Sequence, residues 1–133
     1  MDEHTFKART KKFGLAVIHL IETLPRNRTS DVICRQLLRS ATSVGANYRA
    51  ACRGRSGSDM VAKLGIVEEE ADESIYWLEL LVDSNLVPPE QVNLLAKEAD
   101  EIVAMTVASI KTLRNRKQSG VDHLVIQSPK SKI

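Results

Sequence analysis

A chain of 133 residues, 43% hydrophobic and 27% charged, suits one globular domain with a single core and excludes wholesale disorder. Its apolar runs are short and broken by Glu, Asp or Lys, so none is long enough to cross a bilayer. The start, Met1-Asp2-Glu3-His4, lacks the basic-then-apolar order of a signal peptide, and a cytoplasmic protein is expected.

The net charge of +2 conceals segregation along the chain. Residues 1–57 carry 11 Lys/Arg against 4 Asp/Glu, residues 58–110 carry 2 against 12, and residues 111–133 carry 6 against 1. An acidic helix between basic neighbours is the pattern this implies.

Four periodic segments follow one another. In the first, about 5–24, Phe6, Phe13, Val17, Leu20 and Leu24 recur at three- and four-residue intervals until Pro25 stops it. Thr29, Ser30 and Asp31 offer caps for a second helix, about 31–53, ended by Gly54 and Gly57. Ser58 and Asp59 would cap a third, about 59–84; Pro88 and Pro89 precede a fourth, about 91–117. No strand-like alternation interrupts them. The expected fold is all-α, an antiparallel up-down-up-down four-helix bundle over residues 1–117, with 118–133 a flexible tail carrying the apolar triplet Leu124-Val125-Ile126.

The second helix sorts its residues by face. At about 100° per residue, Arg35, Arg39, Arg49 and Arg53 fall within an arc of roughly 80°, opposite Ile33, Leu37, Val44, Tyr48 and Ala51. Gln36, Ser40, Ser43 and Asn47 form a polar stripe between the two faces, and these groups need hydrogen bonds where they border the core. Small residues from Ser40 to Ala51, Gly45 among them, would admit another helix closely. Arg26, Arg28 and Arg55 extend the basic row. Lys111, Arg114, Arg116 and Lys117 close the fourth helix, at the end expected to hold the turn between helices one and two. Guanidinium forks suit phosphate oxygens, so nucleic-acid phosphates are the candidate ligand, by backbone contact given only 4% aromatic residues. A solvated face, or basic residues complementing a helix C-terminus, is the plain alternative.

The third helix is apolar on two faces. Val67, Ala71, Ile75, Leu78 and Val82 form one; Ile66, Trp77 and Leu80 lie opposite, with Glu73. A helix covered on both sides needs a second surface, and self-association is the simplest source. Ile66, Glu73, Trp77 and Leu80 are therefore the expected subunit interface.

Other chemistry finds less support. Cys34 and Cys52, on one helix, would stand roughly 27 Å apart, too far for a disulfide. Glu68, Glu69, Glu70, Asp72 and Glu73 lack the Glu-x-x-His partners of a di-metal bundle, so no metal or cofactor is expected. The pair Arg116 and His123 has a spacing used by helical nucleases, but Gly120 stands between them, and no enzyme is expected.

The run Arg35-Gln36-Leu37-Leu38-Arg39-Ser40-Ala41-Thr42-Ser43-Val44-Gly45-Ala46-Asn47, the turn Arg53-Gly54-Arg55-Ser56, and Glu73 with Trp77 resemble a family of four-helix bundle proteins. These were first noticed as reading frames within intervening sequences of 23S ribosomal RNA genes, and they include the accessory protein of diversity-generating retroelements. The resemblance spans roughly Phe6 to Leu113 and implies a homopentameric ring and nucleic-acid binding through a basic surface. In the retroelement branch it also implies contact with a reverse transcriptase. Many relatives carry Pro at Gly45 and Glu-Gly at Ala50-Ala51. The expected function is a non-enzymatic scaffold that binds RNA or DNA; a protein-protein adaptor, its arginines serving subunit or partner contacts, is the alternative.

Overall fold

Helix α1, Glu3–Glu22, begins where the Asp2 carboxylate accepts a hydrogen bond from the Thr5 N–H at 2.7 Å. The computed structural model describes residues 2–118, and among these there are four α-helices and no strand. The tail beyond them, with Leu124-Val125-Ile126 and His123, lies outside the described residues.

Helix α2, Arg28–Cys52, and helix α3, Gly57–Asp83, both start earlier than the sequence suggested. Their caps are Asn27, accepting from the Ser30 N–H at 2.9 Å, and Ser56, accepting from the Asp59 N–H at 3.1 Å. Both stand in extended backbone, which aims a short side chain at the amide three residues on. Thr29, Ser30, Asp31, Ser58 and Asp59 are already helical, so they do not hold the cap position.

Helix α3 stops at Asn85, whose φ of 61° places it in the left-handed region. The Leu86 N–H reaches the Leu81 carbonyl at 3.0 Å and the Asn85 N–H reaches Val82 at 2.9 Å, closing the last turn. Pro89–Gln91 then form a 3-10 turn rather than the first turn of the last helix, and α4 runs Asn93–Gln118.

The core draws on all four helices: Phe6, Phe13 and Val17, then Leu37, Val44 and Tyr48, then Val67, Leu78 and Leu81, and Ile102 are sealed from solvent. Phe6 meets Tyr48 edge to face at 4.6 Å. Helix α2 packs most extensively on α3, and α3 on α4; α1 rests chiefly on α2 and touches α4 sparsely. Small residues set the α1–α2 spacing. A Cβ on Gly45 would stand 3.5 Å from the backbone of Thr10 and Lys11, and one on Gly14 would stand 3.6 Å from the Ala41 carbonyl oxygen.

The polar stripe of α2 meets its hydrogen-bonding needs in two ways. Ser40 is fully buried and shares a 3.0 Å hydrogen bond with Ser74 of α3, whose hydroxyl also donates to the Glu70 carbonyl. Asn47 donates to the Ser43 carbonyl and hydroxyl at 2.9 and 2.8 Å. Gln36 is half-buried at the end of the stripe.

Arg9 spans the sparse α1–α4 seam. It donates twice to Glu98, at 2.6 and 2.8 Å, and once to Glu101 at 2.7 Å, with the Met105 sulfur at 3.3 Å. The Glu98 hydrogen bond is the largest influence holding this guanidinium above its ordinary pKa. Nothing in the sequence singled out Arg9, because its partners lie about ninety residues away.

Arg9→Ala is expected to lower unfolding stability by about 1–3 kcal/mol. Amide hydrogen exchange should quicken in α1 while α2 and α3 keep their protection; uniform loss across all four helices would contradict a local tie. Both cysteines are free. Burial pushes the Cys52 thiol up to about 11, so at pH 8 the thiolate is scarce. In a Cys34→Ala background, alkylation at pH 8 should be roughly 10²-fold slower than for an unstructured cysteine peptide, the gap closing as pH rises toward 11.

Candidate functional site

Helix α2 presents Arg28, Arg35, Arg39 and Arg49, with Arg53 at its C-cap, all exposed; the wheel had grouped Arg35, Arg39, Arg49 and Arg53. Arg26 and Arg55, in the flanking turns, are exposed as well. These seven do not behave alike. Arg39 is committed: its Nη1 donates to Glu70 of α3 at 3.0 Å and its Nη2 to Glu73. The same Glu73 oxygen accepts from the Trp77 indole at 3.1 Å, so one carboxylate joins two helices and the single tryptophan. Glu70, before Glu73, is the main reason the Arg39 pKa is raised.

Arg26 pairs with Asp31 at 3.2 Å, but its side chain is 89% exposed, and such a pair contributes little. Arg28, Arg35, Arg49, Arg53 and the Arg55 side chain form no ion pair with the described residues. They are exposed cations not tied up in an ion pair, although Glu22 and Asp31 line a hollow with Arg35 and Asp59 accepts from the Arg55 backbone N–H at 3.2 Å, and an untied guanidinium gains by approaching a phosphate.

At the end of α4, Lys111 and Arg114 are exposed; Arg116 is half-buried and already engaged within the chain. The Lys117 side chain lies outside the described part. Lys111 and Arg114 line a shallow pocket with Val61, Gly65, Glu68 and Glu69 of α3. They therefore sit beside the first half of α3, not beside the turn between α1 and α2. The sequence expectation of one basic end joining Arg26, Arg28 and α4 is corrected here: α4 packs on α3, and its last turns follow that neighbour.

The expected subunit face on α3 is partly covered by its own chain. Trp77 and Leu80 are half-buried against the edge of the core, Glu73 is tied to Arg39, and Ile66 is 38% exposed. Tyr76, which the wheel did not single out, is 54% exposed with its ring 5.0 Å from that of Trp77. On the same helix Glu69, Asp72 and Glu79 are exposed and without an ion pair among the described residues.

A second apolar surface was missed. Helices α1 and α2 leave a groove of about 500 Å³ over Gly14, Ala41, Gly45 and Ala46, flanked by Leu15 and Ile18 and rimmed by Lys7, Lys11 and Arg49. The run of small residues on α2 was its visible half; the matching Ala8 and Gly14 of α1 complete it. Among the described residues no three His, Cys, Asp or Glu are grouped to hold a metal, and no helix is long and apolar enough to cross a membrane.

Glu73→Ala should release both Arg39 and the Trp77 indole. Tryptophan emission is expected to shift to longer wavelength with helicity unchanged, whereas Arg35→Ala should leave emission as it was. Identical spectra for Glu73→Ala and the parent would show that the carboxylate does not hold the indole.

A profile described as 23S rRNA-intervening sequence protein matches residues 3–108. The fold is similar to the crystal structure of a protein of unknown function from the S23 ribosomal protein family of Bacteroides thetaiotaomicron VPI-5482. That likeness has a TM-score of 0.77 at 33% identity, over 84% of this chain and 99% of the other. No curated protein matches. With a profile match over most of its helical region and a solved relative sharing its four-helix fold, this chain belongs to the 23S rRNA-intervening sequence protein family.

Proposed function

We propose that the protein is a non-enzymatic, homo-oligomeric scaffold whose basic outer surface binds nucleic-acid phosphates. The observation that carries the binding half is the set of exposed arginines on and beside α2, Arg28, Arg35, Arg49, Arg53 and Arg55, with no acidic partner in the described chain. Lys111 and Arg114 add charge beside the α2–α3 connection. Contacts of this kind read the phosphate backbone and carry little base specificity.

Within each copy, successive helices run antiparallel in this reading. The approach of Gly45 to Thr10 and of Gly14 to Ala41, and the pairing of Ser40 with Ser74, support that sense. The homo-oligomeric half is supported by Ile66 and Tyr76, apolar groups left open on α3. The subunit number, five in a closed ring, and a cytoplasmic setting are expectations taken from the family resemblance and the composition.

One observation favours the adaptor alternative. Arg39, at the middle of the basic row, already spends its charge on Glu70 and Glu73 of its own chain. Arginines of this surface thus can serve protein contacts, and Arg39 is removed from the phosphate-binding set.

Filter binding to structured RNA separates the two. Affinity should fall on the order of 10³-fold between about 50 and 200 mM salt if six or so phosphates are contacted. Arg35→Glu with Arg53→Glu should abolish retention at low salt while the subunit number, read by native mass spectrometry, stays as in the parent. Absence of RNA retention by the parent at low salt would remove the nucleic-acid reading. A parent protein that is a single chain at high concentration would remove the scaffold reading.

A further inference from the structure

Two of the apolar surfaces left open among the described residues are opposites of one another. The α1–α2 groove is concave and floored by residues with almost no side chain, Gly14, Ala41, Gly45 and Ala46. Lys11 and Arg49 stand on its rim without an ion pair among the described residues. The outer ridge of α3 is convex, carrying Ile66, Tyr76 and the edge of Trp77, with the exposed carboxylates of Glu69, Asp72 and Glu79 on the same helix, Glu69 also lining a hollow beside Lys111 and Arg114. Large apolar groups in an acidic setting face small ones in a basic setting. Such pairing steers association and fixes orientation, while a buried aromatic anchor supplies most of the affinity.

A single chain cannot bring these surfaces together. Helix α2 packs on α1 with one side and on α3 with another, so the ridge of α3 points away from the groove it would fill. We propose that the α3 ridge of one copy seats in the α1–α2 groove of the next, a head-to-tail contact between two different faces. Resting on the homo-oligomeric reading above, it adds which face meets which. Head-to-tail contacts either close into rings or extend as filaments, since each copy keeps one free groove and one free ridge until the last joins the first. A symmetric pairing of ridge with ridge would instead bring the carboxylates of one acidic helix to those of the other, an unfavourable arrangement of like charges.

The test uses full-length chains. Ala46→Trp fills the groove from an exposed position, and Ala8→Trp fills it from the other wall; Tyr76→Arg blocks the ridge. Circular dichroism first confirms that each remains helical. Each variant alone is expected to show the mass of one chain. Mixed in equal amounts, Ala46→Trp and Tyr76→Arg should form a pair and nothing larger, because the pair's remaining groove and ridge are both blocked. If both groove-filled variants keep the parent's subunit number, or the mixture forms no pair, the head-to-tail contact is overturned while the scaffold survives. Groove-filled variants that keep the parent's subunit number and lose RNA retention would assign the groove to nucleic acid and overturn it too. A parent that is itself single overturns both the contact and the reading beneath it.

Discussion

Two packing surfaces meet on α2, and both demand small residues from it. Toward α1, Gly45 comes so near the backbone of Thr10 and Lys11 that a methyl group would only just be in contact. Toward α3, Ser40 is buried against Ser74, and a larger side chain at either position would separate the helices and break the hydrogen bond that joins them. The core aromatics depend on that spacing: Phe6 reaches Tyr48 across the α1–α2 interface only because the helices approach closely. The Tyr48 hydroxyl makes no well-formed hydrogen bond among the described residues, its polar neighbour being the Cys52 thiol, so this edge of the core is held by shape more than by polar contacts.

Charge segregation along the chain becomes segregation in space, with a partial short circuit. The acidic third helix does lie beside the basic second one, and Arg39 with Glu70 and Glu73 joins them at the surface. The remaining arginines of α2 are left facing outward, while Glu69, Asp72 and Glu79 face outward on α3. One chain thus shows two faces of opposite sign. Arg9 does a different task with the same chemistry: its bidentate grip on Glu98 ties together helices that otherwise meet sparsely.

Periodicity made four helices legible because each carries a sustained apolar stripe, and Val17, Leu37, Val67 and Leu78 all proved to be core. Boundaries were less legible. Caps depend on one residue's backbone geometry, and Asn27 and Ser56 compete with equally suitable neighbours such as Ser30 and Ser58. On α2, the wheel placed the arginine row correctly, since its polar and apolar faces are cleanly divided. On α3 it was less decisive: Trp77 and Leu80 are shared between core edge and surface, and Tyr76 is the more open aromatic. The Arg9 clamp and the α1–α2 groove were not legible at all as sites. Each arises from residues far apart in sequence, and their proximity is a property of tertiary packing.

The closeness of Gly14 and Gly45 to the opposing backbone also fixes how the groove above them can respond to an occupant. A floor built from main chain and single methyl groups has no rotamers to freeze and nowhere to retreat. A side chain entering over this floor would find it preformed, the ordering cost falling on that group and on rim side chains such as Lys11 and Arg49.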